Sequence, residues 1–379
     1  MQQKNSVLIE KSKSRQEQPR SRRLVSLDAF RGLTILGMLL VNNIALDTAT
    51  PKHLAHAAWN QGVTFADMVF PWFLLIVGVA VPYAAASRKR NGISIWKYDV
   101  KVMSRAAMLV LLGCLIDSSI YKTPVFDLGV LQLIGLAYFV SALLYELPMC
   151  ARLSIAGAML FAQWLAIRFI PVPGMGAGVF TESSNIIKYL SDAYLQPYHL
   201  SGLPSVIPTS ALVLIGTAIG DLLRQENIAA LKKTACICIT GLLLIILGWL
   251  WSFDLPFNKP VWTASYVLYT AGWGALVLGT FYLIIDVRKW SVWSFPLVVF
   301  GMNAIVAYVA PILVKIYILQ GWTWQMPGGS HLQLQESMLH YLVTNAGRIW
   351  GGWLYTFLYI LFWWLVMLVL YRKRIFLRV

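Results

Sequence analysis

Apolar runs close to the length needed to cross a bilayer recur along nearly the whole chain, and hydrocarbon tolerates only two spanning structures, the α-helix and the closed barrel. The runs are continuous, without the strict alternation over about ten residues that marks a membrane strand, so they are read as helices. They lie at Phe30 to Leu46, Thr64 to Ser87, Val102 to Ile116, Leu128 to Leu147, Leu153 to Ile170, Thr209 to Leu223, Leu231 to Trp251, Trp262 to Ile285, Trp293 to Leu319 and Ile349 to Tyr371. The expected fold is therefore all-α, a polytopic transmembrane helical bundle of about ten spans. The third and sixth runs are short, and Trp293 to Leu319 carries Pro296 and Pro311, which predict a break there. Composition agrees: 58% hydrophobic and 12% charged side chains over 379 residues cannot clothe a soluble globule of that size.

The formal charge of +15 is distributed between the runs rather than on a basic domain, which argues against nucleic-acid binding and for orientation in a membrane. Lys4, Lys11, Lys13, Arg15, Arg20, Arg22 and Arg23 precede the first run, and Arg88, Lys89, Arg90, Lys97, Lys101 and Arg105 follow the second. Lys232 and Lys233, Arg288 and Lys289, and Arg372, Lys373, Arg374 and Arg378 continue the alternation. By the positive-inside rule both termini are cytoplasmic, and the connection with His56 lies outside with the long connections 171–208 and 320–348. Residues 1–23 read as a basic, disordered cytoplasmic tail that is not a secretory signal, and 24–379 as one transmembrane domain. The four cysteines imply no disulfide framework. Cys236 and Cys238, two apart on a helix, point in different directions, so no metal is expected.

The stretch HLAHAAWNQGVTFADMVFPWF from His53 gathers polar groups at the edge of an apolar run. His56 is a proton acceptor suited to neutral pH; taken alone, such a loop histidine is more often solvated or capping, and His53 more so. Asp67 has entered the apolar run, where an ionisable group is costly and reads as functional. Thr64 and Asp67 also form a T-x-x-D helix start, so a capping role stands beside the functional one. Pro71 should free a carbonyl one turn back, near that site. Asn42 falls about 18 Å along the first helix, where its amide serves either as interhelical glue or as a donor to a developing oxyanion. At the opposite end Asp28 and Arg31, three apart, can pair and merely anchor the helix, or with Arg23, Lys101 and Arg105 recognise a phosphorylated ligand from the cytoplasm.

RLVSLDAFRGLTILGMLLVNN followed by HAAWNQGVTFADMVFPWFLLIVG resembles the opening of the heparan-α-glucosaminide N-acetyltransferase family of membrane acyltransferases, which has bacterial relatives. The resemblance continues through GVLQLIGLAYFV from Gly129, PVPG from Pro171, NKPVWTASYVL from Asn258, VFGMNAIVAYV from Val299 and YRKRIF from Tyr371. It implies transfer of an acetyl group from cytoplasmic acetyl-CoA to an amino sugar across the membrane, with His56 matching the catalytic histidine and Asn42 the active-site asparagine. Arg31 and Asn42 are about 17 Å apart along the helix, comparable to an extended pantetheine arm, so a nucleotide held at Asp28, Arg31 and Arg105 could present its thioester near Asn42.

The sequence departs from the family pattern at three places: Phe126 and Leu133 stand where it has basic residues, His199 to Gly202 replace Asp-Pro-Glu-Gly, and Gln61 is inserted in WNG. They put the acceptor's identity in question, since neither Phe nor Leu binds an anion. The expectation is an acetyl-CoA-dependent N-acetyltransferase of a bacterial cytoplasmic membrane. His56, Asn42 and Asp67 are its catalytic candidates; its partners are a small-molecule or glycan amine acceptor and membrane lipid. Homo-oligomerisation is left open, and the alternative function is an amino-sugar permease or binding protein without covalent chemistry.

Overall fold

The computed structural model of this protein describes residues 24–325 and 331–377; the basic tail 1–23 lies outside the described residues. Helices Val25–Asn43 (α1), Phe65–Arg90 (α2), Ile95–Tyr121 (α3), Val130–Leu144 (α4) and Met149–Phe169 (α5) come first. A short helix, Ile186–Leu190 (α6), lies in the long connection before Val206–Arg224 (α7), Ala230–Trp251 (α8) and Ala264–Phe281 (α9). Phe295–Met302 (α10) and Ala304–Val314 (α11) follow, then a small antiparallel pair of strands, Thr323–Gln325 (β1) and His331–Gln333 (β2). Leu334–Ala346 (α12) and Arg348–Arg372 (α13) complete the order.

A helix covers every apolar run, yet not every helix suffices to cross a bilayer. Among the described residues seven are long and apolar enough by length and composition, and eight if the bent pair α10 and α11 counts as one span. The shortfall from about ten lies in α3 and α4. Helix α3 carries Lys97, Asp99, Lys101 and Arg105 in its first half and Asp117 near its end. Helix α4 has 15 residues, about 22 Å of rise against a hydrocarbon thickness of about 30 Å. The two pack on each other and α4 also packs on α7, so both are parts of the bundle.

The break in the ninth run falls at neither proline. Pro296 sits in the first turn of α10, where a missing N–H costs nothing, and Pro311 lies within an uninterrupted α11. The chain instead turns through 66° at Asn303, which is fully buried. Its amide satisfies the C-terminal segment, with Nδ2 donating to Ile375 O at 3.0 Å and Oδ1 accepting from Leu377 N at 3.0 Å.

Close helix crossings are made by small residues, as expected where lipid supplies no hydrophobic drive between helices. A Cβ on Gly32 would sit 1.7 Å from Leu297 O, and one on Gly301 1.9 Å from Asp28 O, so α1 and α10 touch backbone to backbone. This crossing fixes Asp28 against the broken pair. Helices α1, α2 and α7 form the centre, with 61 to 72% of their apolar windows buried, whereas α5, α8 and α13, at 22 to 28%, form the rim.

Candidate functional site

The capping box expected at the start of α2 is present, with the Thr64 side chain taking the Asp67 N–H and Asp67 reaching back to Thr64 N. The functional arrangement is present as well. Asp67 Oδ1 lies 2.8 Å from His56 Nδ1, and Oδ2 accepts from Ala57 N at 3.0 Å. The carboxylate is 3% exposed, whereas the His56 ring is 53% exposed. Because a carboxylate accepts only, this contact requires a proton on Nδ1, which leaves Nε2 as the ring's acceptor on the exposed side.

Pro71 has no N–H to offer the carbonyl four residues earlier, which belongs to Asp67. The buried Tyr266 hydroxyl takes it, donating to Asp67 O at 2.6 Å. Sequence reasoning therefore found the freed carbonyl, and α9 supplies its partner without any bend that ends α2.

One member of this group went unrecognised in the sequence. Lys259 Nζ stands 3.4 Å from Asp67 Oδ1 and 3.2 Å from His56 Nδ1. With Nδ1 protonated toward Asp67, the ammonium's partner is the carboxylate. Burial lowers the Lys259 ammonium from its ordinary value, and the Asp67 charge opposes this in part. The NKPVW turn places it: Asn258 Oδ1 accepts Val261 N, and Asn258 Nδ2 donates to Asn60 Oδ1 at 3.1 Å. Trp262 holds a left-handed backbone, φ 57°, at a cost of about 1 to 3 kcal/mol. Its ring packs against Phe70 and Tyr266, which hold the turn over α2. The signal available in the sequence was the NKPVW stretch itself.

Asn42 is elsewhere. It lines a cavity of about 470 Å³ at the C-terminal end of α1, together with Asn43, Asp117, Gln132 and Lys315. Asp28, Arg31 and Arg105 line a second cavity of about 510 Å³ at the N-terminal end of the same helix. Met38, Val130, Leu131 and Tyr308 belong to the walls of both, so the two cavities adjoin along α1. Arg31 Nη1 and Asp28 Oδ1 pair at 3.4 Å, as their spacing predicts. Lys101 is exposed and lines neither cavity, and Arg23 lies outside the described residues.

The structure thus joins Asp28, Arg31 and Arg105 in one place and His56 with Asp67 in another. His56 lines neither cavity and makes no contact with Asn42 among the described residues. Phe126 is exposed and Leu133 is buried in the core, and neither lines these cavities. His199 faces Asp127 at 3.6 Å, close to Phe126 in sequence.

A family profile described as Heparan-alpha-glucosaminide N-acetyltransferase, catalytic, matches residues 23–248. The chain is 27% identical to the human heparan-alpha-glucosaminide N-acetyltransferase over 93% of its own length and 59% of that protein. To the mouse protein of the same name it is 25% identical, over 93% of this chain and 60% of the relative. The chain therefore spans about three-fifths of the length of the relatives it matches. Since the profile covers well over half of its residues, in the region that holds α1, α2, His56 and Asp67, the chain belongs to the heparan-alpha-glucosaminide N-acetyltransferase family.

Proposed function

We propose that this protein is a multi-pass acyltransferase of a bacterial cytoplasmic membrane that moves an acetyl group from acetyl-CoA, bound from the cytoplasm, to the amine of a sugar on the outer face. The observation that carries the reading is the pair of adjoining cavities along α1, with guanidinium groups at one end and Asn42 at the other. Arg31 and Arg105 offer the planar donor forks that suit phosphates, while Ile35, Met38, Leu109 and Ile134 line an apolar path for a pantetheine arm.

In this reading the Asn42 amide donates to the thioester oxygen as charge develops there. His56 Nε2 takes the proton from the attacking amine as the new C–N bond forms and the thiolate leaves, and Asp67 holds the ring and supports its positive charge. Because His56 lines neither cavity, the reading requires the segment between α1 and α2 to carry Nε2 over the cavity mouth when the acceptor binds.

Replacing Arg31 by Leu should weaken acetyl-CoA binding by about 1.5 to 3 kcal/mol, the range for a charge-assisted hydrogen bond. That corresponds to a dissociation constant raised about 10 to 150-fold. Titration of acetyl-CoA into detergent-purified protein measures it, and equal affinity in wild type and variant would sink cytoplasmic docking at Arg31. One feature favours a second reading, an amino-sugar permease: broken helices such as the pair at Asn303 commonly line transport sites. A permease needs no thioester, so acetyl transfer by the purified protein decides between the two.

A further inference from the structure

The cavity that Asn42 lines also holds two opposite charges to which the transfer chemistry assigns no task. Asp117 comes from the last turns of α3 and Lys315 from the residue that follows α11. Both are half-buried, and no ion pair joins them among the described residues. Charges within apolar helices are costly, and mutual pairing is the usual way to lower that cost. Here each is held by neutral groups and keeps capacity for a ligand.

Lys315 Nζ donates to Asn42 O at 3.2 Å and to Asn43 Oδ1 at 3.2 Å, which leaves the third ammonium proton available. Asp117 Oδ2 accepts from Gln132 Nε2 at 2.7 Å, and Oδ1 takes no hydrogen bond among the described residues. The carboxylate is fixed in place: Gln132 Nε2 also donates to Asp127 O at 3.0 Å, and a Cβ on Gly129 would come within 2.5 Å of Asp117 Oδ2. The GVLQ stretch is thus shaped around this carboxylate.

We propose that Asp117 and Lys315 are the specificity-determining residues of the acceptor site and that they select an amino sugar carrying an anionic substituent. Asp117 receives the acceptor's ammonium and Lys315 the anion. Contact at both ends orients the acceptor beside Asn42, because the Lys315 ammonium is itself bound to the Asn42 carbonyl. The inference rests on the transferase reading above and adds the class of acceptor to it.

The test compares glucosamine, glucosamine 6-sulfate and muramic acid as acceptors with acetyl-CoA and detergent-purified protein. Wild type should favour at least one anionic sugar over glucosamine in kcat/KM by about tenfold or more. Lys315→Met should collapse that ratio to about unity while Lys315→Arg keeps it, since the charge carries the recognition. Asp117→Asn should raise KM for all three amines, and Asp117→Glu should recover part of the loss. Transfer that proceeds without discrimination, or with a preference unchanged in Lys315→Met, overturns this inference and leaves the transferase reading standing. If no amine is acetylated, the transferase reading fails, and direct binding of the same sugars then decides the inference. Tighter binding of an anionic amino sugar, lost in Lys315→Met and kept in Lys315→Arg, supports it; equal or absent binding overturns it.

Discussion

A His56→Ala protein should melt with the wild type and yet lose acetyl transfer by about 10²- to 10⁴-fold, the usual contribution of a positioned proton acceptor. The His56 ring is about half exposed, so truncation removes little packing, and Asp67 retains Lys259 and the Ala57 and Thr64 amides as partners. The loss should fall on kcat with little change in the KM for acetyl-CoA, because the histidine acts on the amine. His53 is exposed and has no part in this group, so His53→Ala should be mild and serves as the control. Turnover near wild type in a folded His56→Ala protein would make the histidine structural.

Asp67→Asn should cost both activity and stability. An amide cannot replace both carboxylate oxygens as acceptors: one end can still take the His56 proton, but the other then presents N–H to the N–H groups of Ala57 and Thr64. Lys259 loses its counter-charge in a partly buried place. Breaking a buried pair by removing one member costs about 3 to 5 kcal/mol, and thermal unfolding in detergent should register that loss. Adding Lys259→Met to Asp67→Asn should recover part of it, since the stranded ammonium is gone, and a double-mutant cycle measures the coupling. If Asp67→Asn melted with the wild type, the carboxylate would not be the organising centre of the His56 group.

The helices were legible because the apolar runs are long and punctuated by charge, but their sufficiency to cross a membrane was not. Helix α4 ends early at Leu144, and the charges of α3 sit inside the helix rather than beside it. The break at Asn303 was expected from prolines and arises from an amide that pairs with the chain terminus, a contact 72 residues away that no local pattern reports. Asp67 was legible twice over, as cap and as costly charge, and both readings hold. Lys315 and Asp117 lie within or beside apolar runs, so the argument that singled out Asp67 applies to them equally. Lys259 differs: it sits in a loop, and only the folded turn from Asn258 to Trp262 carries it to Asp67. The placement of Asn42 in one cavity and His56 outside it is likewise a property of packing, because the sequence separates them by only a short loop.

The central claim is acetyl transfer across the membrane through the cavities along α1. It is tested most directly in proteoliposomes that carry labelled acetyl-CoA on the face exposing the C-terminus and an amino sugar only on the opposite face. The account predicts labelled N-acetyl sugar on the sugar's side, reduced in His56→Ala and in Arg31→Leu. Passage of unmodified sugar across the bilayer, with the acetyl label remaining on CoA, would contradict it and establish the permease in its place.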